Sequence, residues 1–184
     1  MAALVAAALA QVGDRTPWLA AILADRFGRP VTVIVAAAIA LAGASGLAAF
    51  GGAAVAPMLT PNARALLLGV ALILQGGGAW WVAKPPERLD GWPLGAFATA
   101  LAGLFILAFG DGVQFIVAAL AARSTTPWLA AVGATLGSLA VIAPAALLGE
   151  REWTRWPLGQ LRRGIGALFV IVGAVLALGG LRLA

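Results

Sequence analysis

The residues of this 184-residue chain that could do chemistry fall in two short segments, Gln11-Val12-Gly13-Asp14-Arg15-Thr16 and Gly110-Asp111-Gly112-Val113-Gln114. Each places a carboxylate next to glycine inside a long apolar run. A carboxylate in hydrocarbon costs at least a few kcal/mol, so it faces a bundle interior, a partner or a water-filled path. Carboxylate, amide and hydroxyl oxygens are also the donors that hard divalent cations prefer. Asp14 and Asp111 are therefore the candidate cation and proton ligands, with Gln11, Thr16 and Gln114 as further oxygen donors. Arg15 lies about 100° around a helix from Asp14, so it is read as a supporting residue that reaches another helix. Asp111 has only Gly110 and Gly112 beside it and is the less compensated charge. Gln75, ahead of Gly76-Gly77-Gly78, is read as an inter-helix hydrogen bond.

The rest of the chain must hold these groups in a membrane. Hydrophobic residues make up 62% of it and charged residues 10%, against about 25% charged in soluble domains. Without His or Cys there is no zinc or haem site of the usual kind, no thiol nucleophile and no His-based triad. The net charge of +5 comes from Lys and Arg scattered between apolar runs, which is not the clustered footprint of a nucleic-acid binder. No nucleic-acid partner is expected; the partner is the lipid bilayer.

Charged and turn-forming residues divide the chain into six apolar spans, 2–25, 31–51, 62–83, 93–122, 127–149 and 163–183, each near the 20 or so residues that cross a bilayer as a helix. Such runs do not alternate as barrel strands do. The longest polar connector is expected from Glu150 through Trp156 to Arg162-Arg163. Ala8-Leu9-Ala10 looks like a signal-peptide cleavage site, yet no Lys or Arg precedes the apolar run, so the first span is expected to be retained.

Shifting the chain from Asp14 to Asp111 aligns Gly13 with Gly110, Arg26 with Arg123 and Pro30 with Pro127. Gly52/Gly149, Gly69/Gly166 and Gly76/Gly173 keep the same register. The expected architecture is a single all-α integral membrane domain of six transmembrane helices, in two three-helix repeats: 1–83, a connector 84–92, and 93–184. Three is odd, so the second repeat enters inverted, the plan of many secondary transporters. Arg26, Arg29, Lys84, Arg88, Arg151, Arg155, Arg162 and Arg163 fall in connectors one, three and five, and only Arg64, Arg123 and Arg182 on the other side. The positive-inside rule then puts those connectors in the cytoplasm and both termini outside, in a cell inner membrane. Trp80, Trp81, Trp92, Trp128, Trp153 and Trp156 are read as interfacial belt residues, and Trp18 shares the helix face of Asp14.

At these residues the chain resembles the Gdt-one family, Golgi-type and bacterial exchangers of calcium or manganese for protons. The segment Leu9 to Thr16, followed by Ala24-Asp25-Arg26-Phe27-Gly28-Arg29-Pro30, is similar to the family's first signature, E-x-G-D-[KR]-[ST]. The second signature is similar at Gly110-Asp111 and Gln114, continuing through Gly133-Ala134-Thr135-Leu136-Gly137 to Pro144 and Glu150. The resemblance implies a six-span inverted repeat that exchanges manganese or calcium for protons, with Asp14 and Asp111 as metal ligands. No cofactor is implied, the cation being cargo. The family's signature glutamates are replaced by Gln11 and Ala108, and the second signature's basic and hydroxyl positions are Gly112 and Val113. Four carboxylates are thus two. The alternative reading is a non-transporting scaffold or partner subunit; an intramembrane enzyme lacks any nucleophile or cofactor motif. The Gly133/Gly137 pair suits close packing of two helices, within the chain or in a homo-oligomer.

Overall fold

A computed structural model describes residues 1–81 and 84–182. It contains α1 (Ala2–Gln11), α2 (Arg15–Phe27), α3 (Pro30–Val55, extended by a 3-10 turn Ala56–Met58), α4 (Pro61–Gly78), α5 (Ala96–Phe109), α6 (Gly112–Ala122), α7 (Pro127–Trp153) and α8 (Leu158–Arg182). No strand occurs among the described residues. Proline opens α3, α4 and α7, at the helix position where its missing N–H and fixed φ cost nothing. Thr60 Oγ1 accepts the Ala63 N–H at 3.2 Å and caps α4.

Pro30–Met58, Pro127–Trp153 and Leu158–Leu181 are long and apolar enough to cross a membrane, and α5 with α6 makes a fourth such unit, bent by 65°. The chain is an all-helical, multi-pass membrane protein. Spans one and four were expected as single helices; both are broken. Gly13 sits at φ 73° and Asp14 is extended at φ −89°, ψ 170°, which ends the hydrogen-bond ladder of α1 before α2 begins. Asp111, at φ −86°, ψ 147°, does the same between α5 and α6.

The expected connector after Glu150 is also shorter, because α7 runs on to Trp153 and α8 starts at Leu158. The backbone of α7 kinks at Gly149 (φ 77°, ψ 171°), and the turn beyond the kink sets Trp153 against α2. Trp153 is consequently buried, in a cluster with Ala21 and Ala145, and not at the lipid interface; Trp80, Trp81, Trp128 and Trp156 are exposed. The ends of spans three and six at Val82, Ala83 and Leu183, and the last residue Ala184, lie outside the described residues.

Packing is by close backbone approach, as suits helices with no hydrophobic drive between them. Helices α1 and α2 lie on α7, α5 and α6 on α3, α3 on α7, and α4 on α8. A Cβ on Gly137 would strike Leu4 O, and one on Gly52 would strike Ala118 O. Along α4 and α8 the glycines meet at seven-residue intervals: a Cβ on Gly69 would lie 2.7 Å from Gly173 O, and one on Gly76 would lie 2.5 Å from Gly166 O. The connector is fastened across the bundle. Arg26 donates to Leu89 O at 2.6 Å and Asp90 O at 3.2 Å, Arg88 pairs with Glu150 at 2.8 Å, and Asp25 Oδ2 accepts the Glu150 N–H at 2.7 Å.

Candidate functional site

The site is built from the two helix breaks. Asp14 is the residue ahead of the first turn of α2, and Asp111 holds the same place before α6. The positive ends of two helix dipoles therefore face two carboxylates, which favours negative charge there. The last carbonyls of α1 and α5 arrive at the same breaks with part of their hydrogen-bonding capacity unused. Broken helices thus offer both polarities at one depth, as transporter ion sites do.

Helix α1 packs on α6 and α2 on α5, so the broken spans cross. That crossing brings the carboxyl groups of Asp14 and Asp111 into contact, with the Gly112 and Val113 N–H groups near the Asp111 carboxylate. Around them lie buried oxygens that receive nothing from the protein: Asp111 Oδ2, Gln11 Oε1 in the last turn of α1, and Thr16 Oγ1 in the first turn of α2. Gln114 Oε1 in α6 is likewise buried and unpartnered, although its side chain also borders a groove against Ala44 and Ala48 of α3. Ser45 Oγ on α3 is a further such oxygen. An orphaned buried oxygen costs roughly 1–3 kcal/mol, and a cluster of them suits a cation or proton ligand set.

Arg15 points elsewhere. It is exposed and lines a groove with Glu87, Leu89, Trp92 and Ile106. Among the described residues no three of His, Cys, Asp and Glu gather as a metal cluster; the carboxylates here are two.

A cavity of about 250 Å³ leads to Asp14, lined by Gly13, Trp18, Trp153, Trp156, Arg162 and Arg163 among others. Its walls are the ends of α4 and α7 and the start of α8. Arg162 donates to Gly78 O at 3.1 Å and Trp81 O at 3.0 Å, so its charge is directed at the carboxyl end of α4, where a cation is favoured. A Cβ on Gly13 would lie 2.8 Å from Leu158 O and 3.1 Å from Arg162 Cβ. Glycine is thus required there both by that contact and by the positive φ.

Sequence reasoning missed two features. The helix breaks were signalled by Gly13-Asp14 and Gly110-Asp111-Gly112, which pair a flexible residue with a capping one, and by Pro17 in the first turn of α2. Gln75, read as a tie between helices, lies against Gly112 beside Asp111; its only signal was being the sole amide in α4 besides Asn62.

The family model described as "Divalent cation/proton antiporter GDT1" matches residues 1–87 and 96–183. The chain belongs to the GDT1 family. It is a membrane-embedded transporter, not an enzyme, of a family that handles divalent cations and protons. It is also 31% identical over 176 residues to a protein of Vibrio cholerae serotype O1 (strain ATCC 39541 / Classical Ogawa 395 / O395) named "Putative manganese exporter", covering 92% of this chain and 86% of that one. No solved structure matches the GDT1 chain.

Proposed function

We propose that this GDT1 protein exchanges a divalent cation, manganese first, for protons at the paired carboxylates Asp14 and Asp111. The observation that carries the reading is their contact across two helix breaks, with buried oxygens without partners on residues that flank them in the chain. Protons and a hard cation compete for the same oxygens, so loading one releases the other. Gln11, Thr16 and Gln114 add neutral donors. A site with two carboxylates exchanges at most two protons for each divalent ion.

The proposed transport unit is six spans in two inverted repeats, with α1–α2 and α4 completing the four crossing units described above. Three observations support it: the family match falls in two parts, 1–87 and 96–183, with its gap at the end of the connector, both halves break at Gly-Asp, and the Gly69–Gly173 and Gly76–Gly166 contacts exchange with each other when the halves are swapped. With connectors one, three and five in the cytoplasm of a cell inner membrane and both termini outside, the cavity at Asp14 opens inward. The Gly133 and Gly137 pair is engaged by α1 of the same chain, so it packs within the chain in this reading.

The test is manganese-driven proton movement in proteoliposomes carrying a pH dye. Wild type moves protons against manganese at no more than two per ion, while Asp14→Asn and Asp111→Asn, each folded by circular dichroism, do not. Equal flux in wild type and Asp111→Asn refutes the exchanger, and absence of flux in wild type favours the scaffold reading.

A further inference from the structure

We infer that Gln75 supplies its amide oxygen to the transported cation, through a gap that exists because residue 112 is glycine. The inference rests on the exchange reading of Asp14 and Asp111. A Cβ built on Gly112 would overlap Gln75 Oε1 and lie 3.1 Å from its Cδ. The amide therefore lies directly over the backbone that follows Asp111. Gln75 also lines a small cavity with Leu9, Ala10 and Val12 at the end of α1, so one side chain from α4 lies against the second break and borders a cavity that reaches the first.

Its position is fixed from below. Gly76, the next residue, meets Gly166 in the α4–α8 seam, where any side chain would collide. The two breaks are also complementary in content. Under the Asp14-to-Asp111 register, Arg15 corresponds to Gly112 and Gln75 to Val172. By that register the first half has a cation next to its carboxylate in sequence and an apolar residue at the matching place on α8; the second has no side chain at 112 and an amide on α4 against it. A basic residue at 112 would occupy the space of the amide and oppose a bound cation, whereas an amide oxygen is a neutral hard donor. Glycine at 112 and glutamine at 75 thus act as one unit, adding an oxygen to a site that has only two carboxylates.

The experiment is calorimetric titration of manganese chloride into the purified full-length chain in detergent, for wild type, Gln75→Met, Gln75→Glu, Gly112→Ala, Gln75→Met with Gly112→Ala, and Asp111→Asn. Met keeps the side-chain length without the oxygen. Gln75→Met and Gly112→Ala are expected to weaken manganese binding about tenfold each, the scale for losing one supporting group of a metal site. The double variant should be no weaker than either single one, because both remove the same oxygen. Gln75→Glu should bind more tightly through added ligand charge.

If Gln75→Met lowers the melting temperature while manganese affinity stays within twofold of wild type, the amide is a helix tie and the inference fails, with the Asp111→Asn loss leaving the exchange reading intact. If Asp111→Asn also binds as wild type does, the exchange reading itself fails. Should Gln75→Met not fold, Gln75→Glu decides: tighter binding upholds the inference and unchanged affinity overturns it.

Discussion

Replacing Gln11 by Glu puts a third carboxylate into the site without changing side-chain length. Gln11 is 1% exposed and its Oε1 has no partner, so the new charge is introduced out of water and without steric conflict. At an effective dielectric of about 20, two unit charges about 4 Å apart interact by about 4 kcal/mol. One ionised neighbour repels the new carboxylate by that order, and a divalent ion at similar range attracts it by about twice as much. The surplus of about 4 kcal/mol is reduced by protonation of the empty variant. About 1.4–2.8 kcal/mol should remain, equal to about ten- to a hundredfold tighter manganese binding. Titration calorimetry at pH 6 and pH 8 measures this. The variant should gain more affinity at pH 8 than at pH 6, because the added carboxylate must release its proton to the solvent before it can ligate. Unchanged or weaker binding at pH 8 by a folded Gln11→Glu protein would refute the placement of Gln11 in the ion's shell.

The corresponding change in the other half should behave oppositely: Ala108 is wholly enclosed in the core shared by α2, α3, α5 and α7, so Ala108→Glu is expected to reduce the yield of folded protein on size-exclusion chromatography. In the α4–α8 seam, Gly76→Ile should lower the melting temperature through overpacking of about 1–3 kcal/mol, while Gly77→Ala, with open space around it, should leave the melting temperature the same or higher. Glu87→Cys in the connector should be shielded from membrane-impermeant maleimides in intact cells, and a Cys at position 184 should react; the chain has no native Cys, so labelling has no background, and the reverse pattern would invert the orientation.

The membrane class, the helical spans and the two Gly-Asp segments were legible in the sequence because they depend on local properties. Apolar run length sets what can cross a bilayer, and a rare carboxylate in such a run stands out against its neighbours. The matching of Pro30 with Pro127 was likewise visible, and both prolines open helices; Gly13 and Gly110 match in residue type but not in backbone, with φ 73° at one and −87° at the other.

What the tertiary structure decided is which groups meet. Whether Gly-Asp bends a span or is carried within a straight helix depends on the crossing partner that accommodates the bend. Here α1 against α6 and α2 against α5 turn two isolated carboxylates into one pair. Trp153 is drawn into the core because α7 kinks at Gly149 and the turn beyond it presents the indole to Ala21, a consequence of packing that composition does not carry. Gln75 shows the limit most directly. As one glutamine in an apolar helix, its neighbours are set by the α4–α8 glycine seam and by the missing side chain at Gly112. These lie far apart in the chain and come together only when the bundle closes.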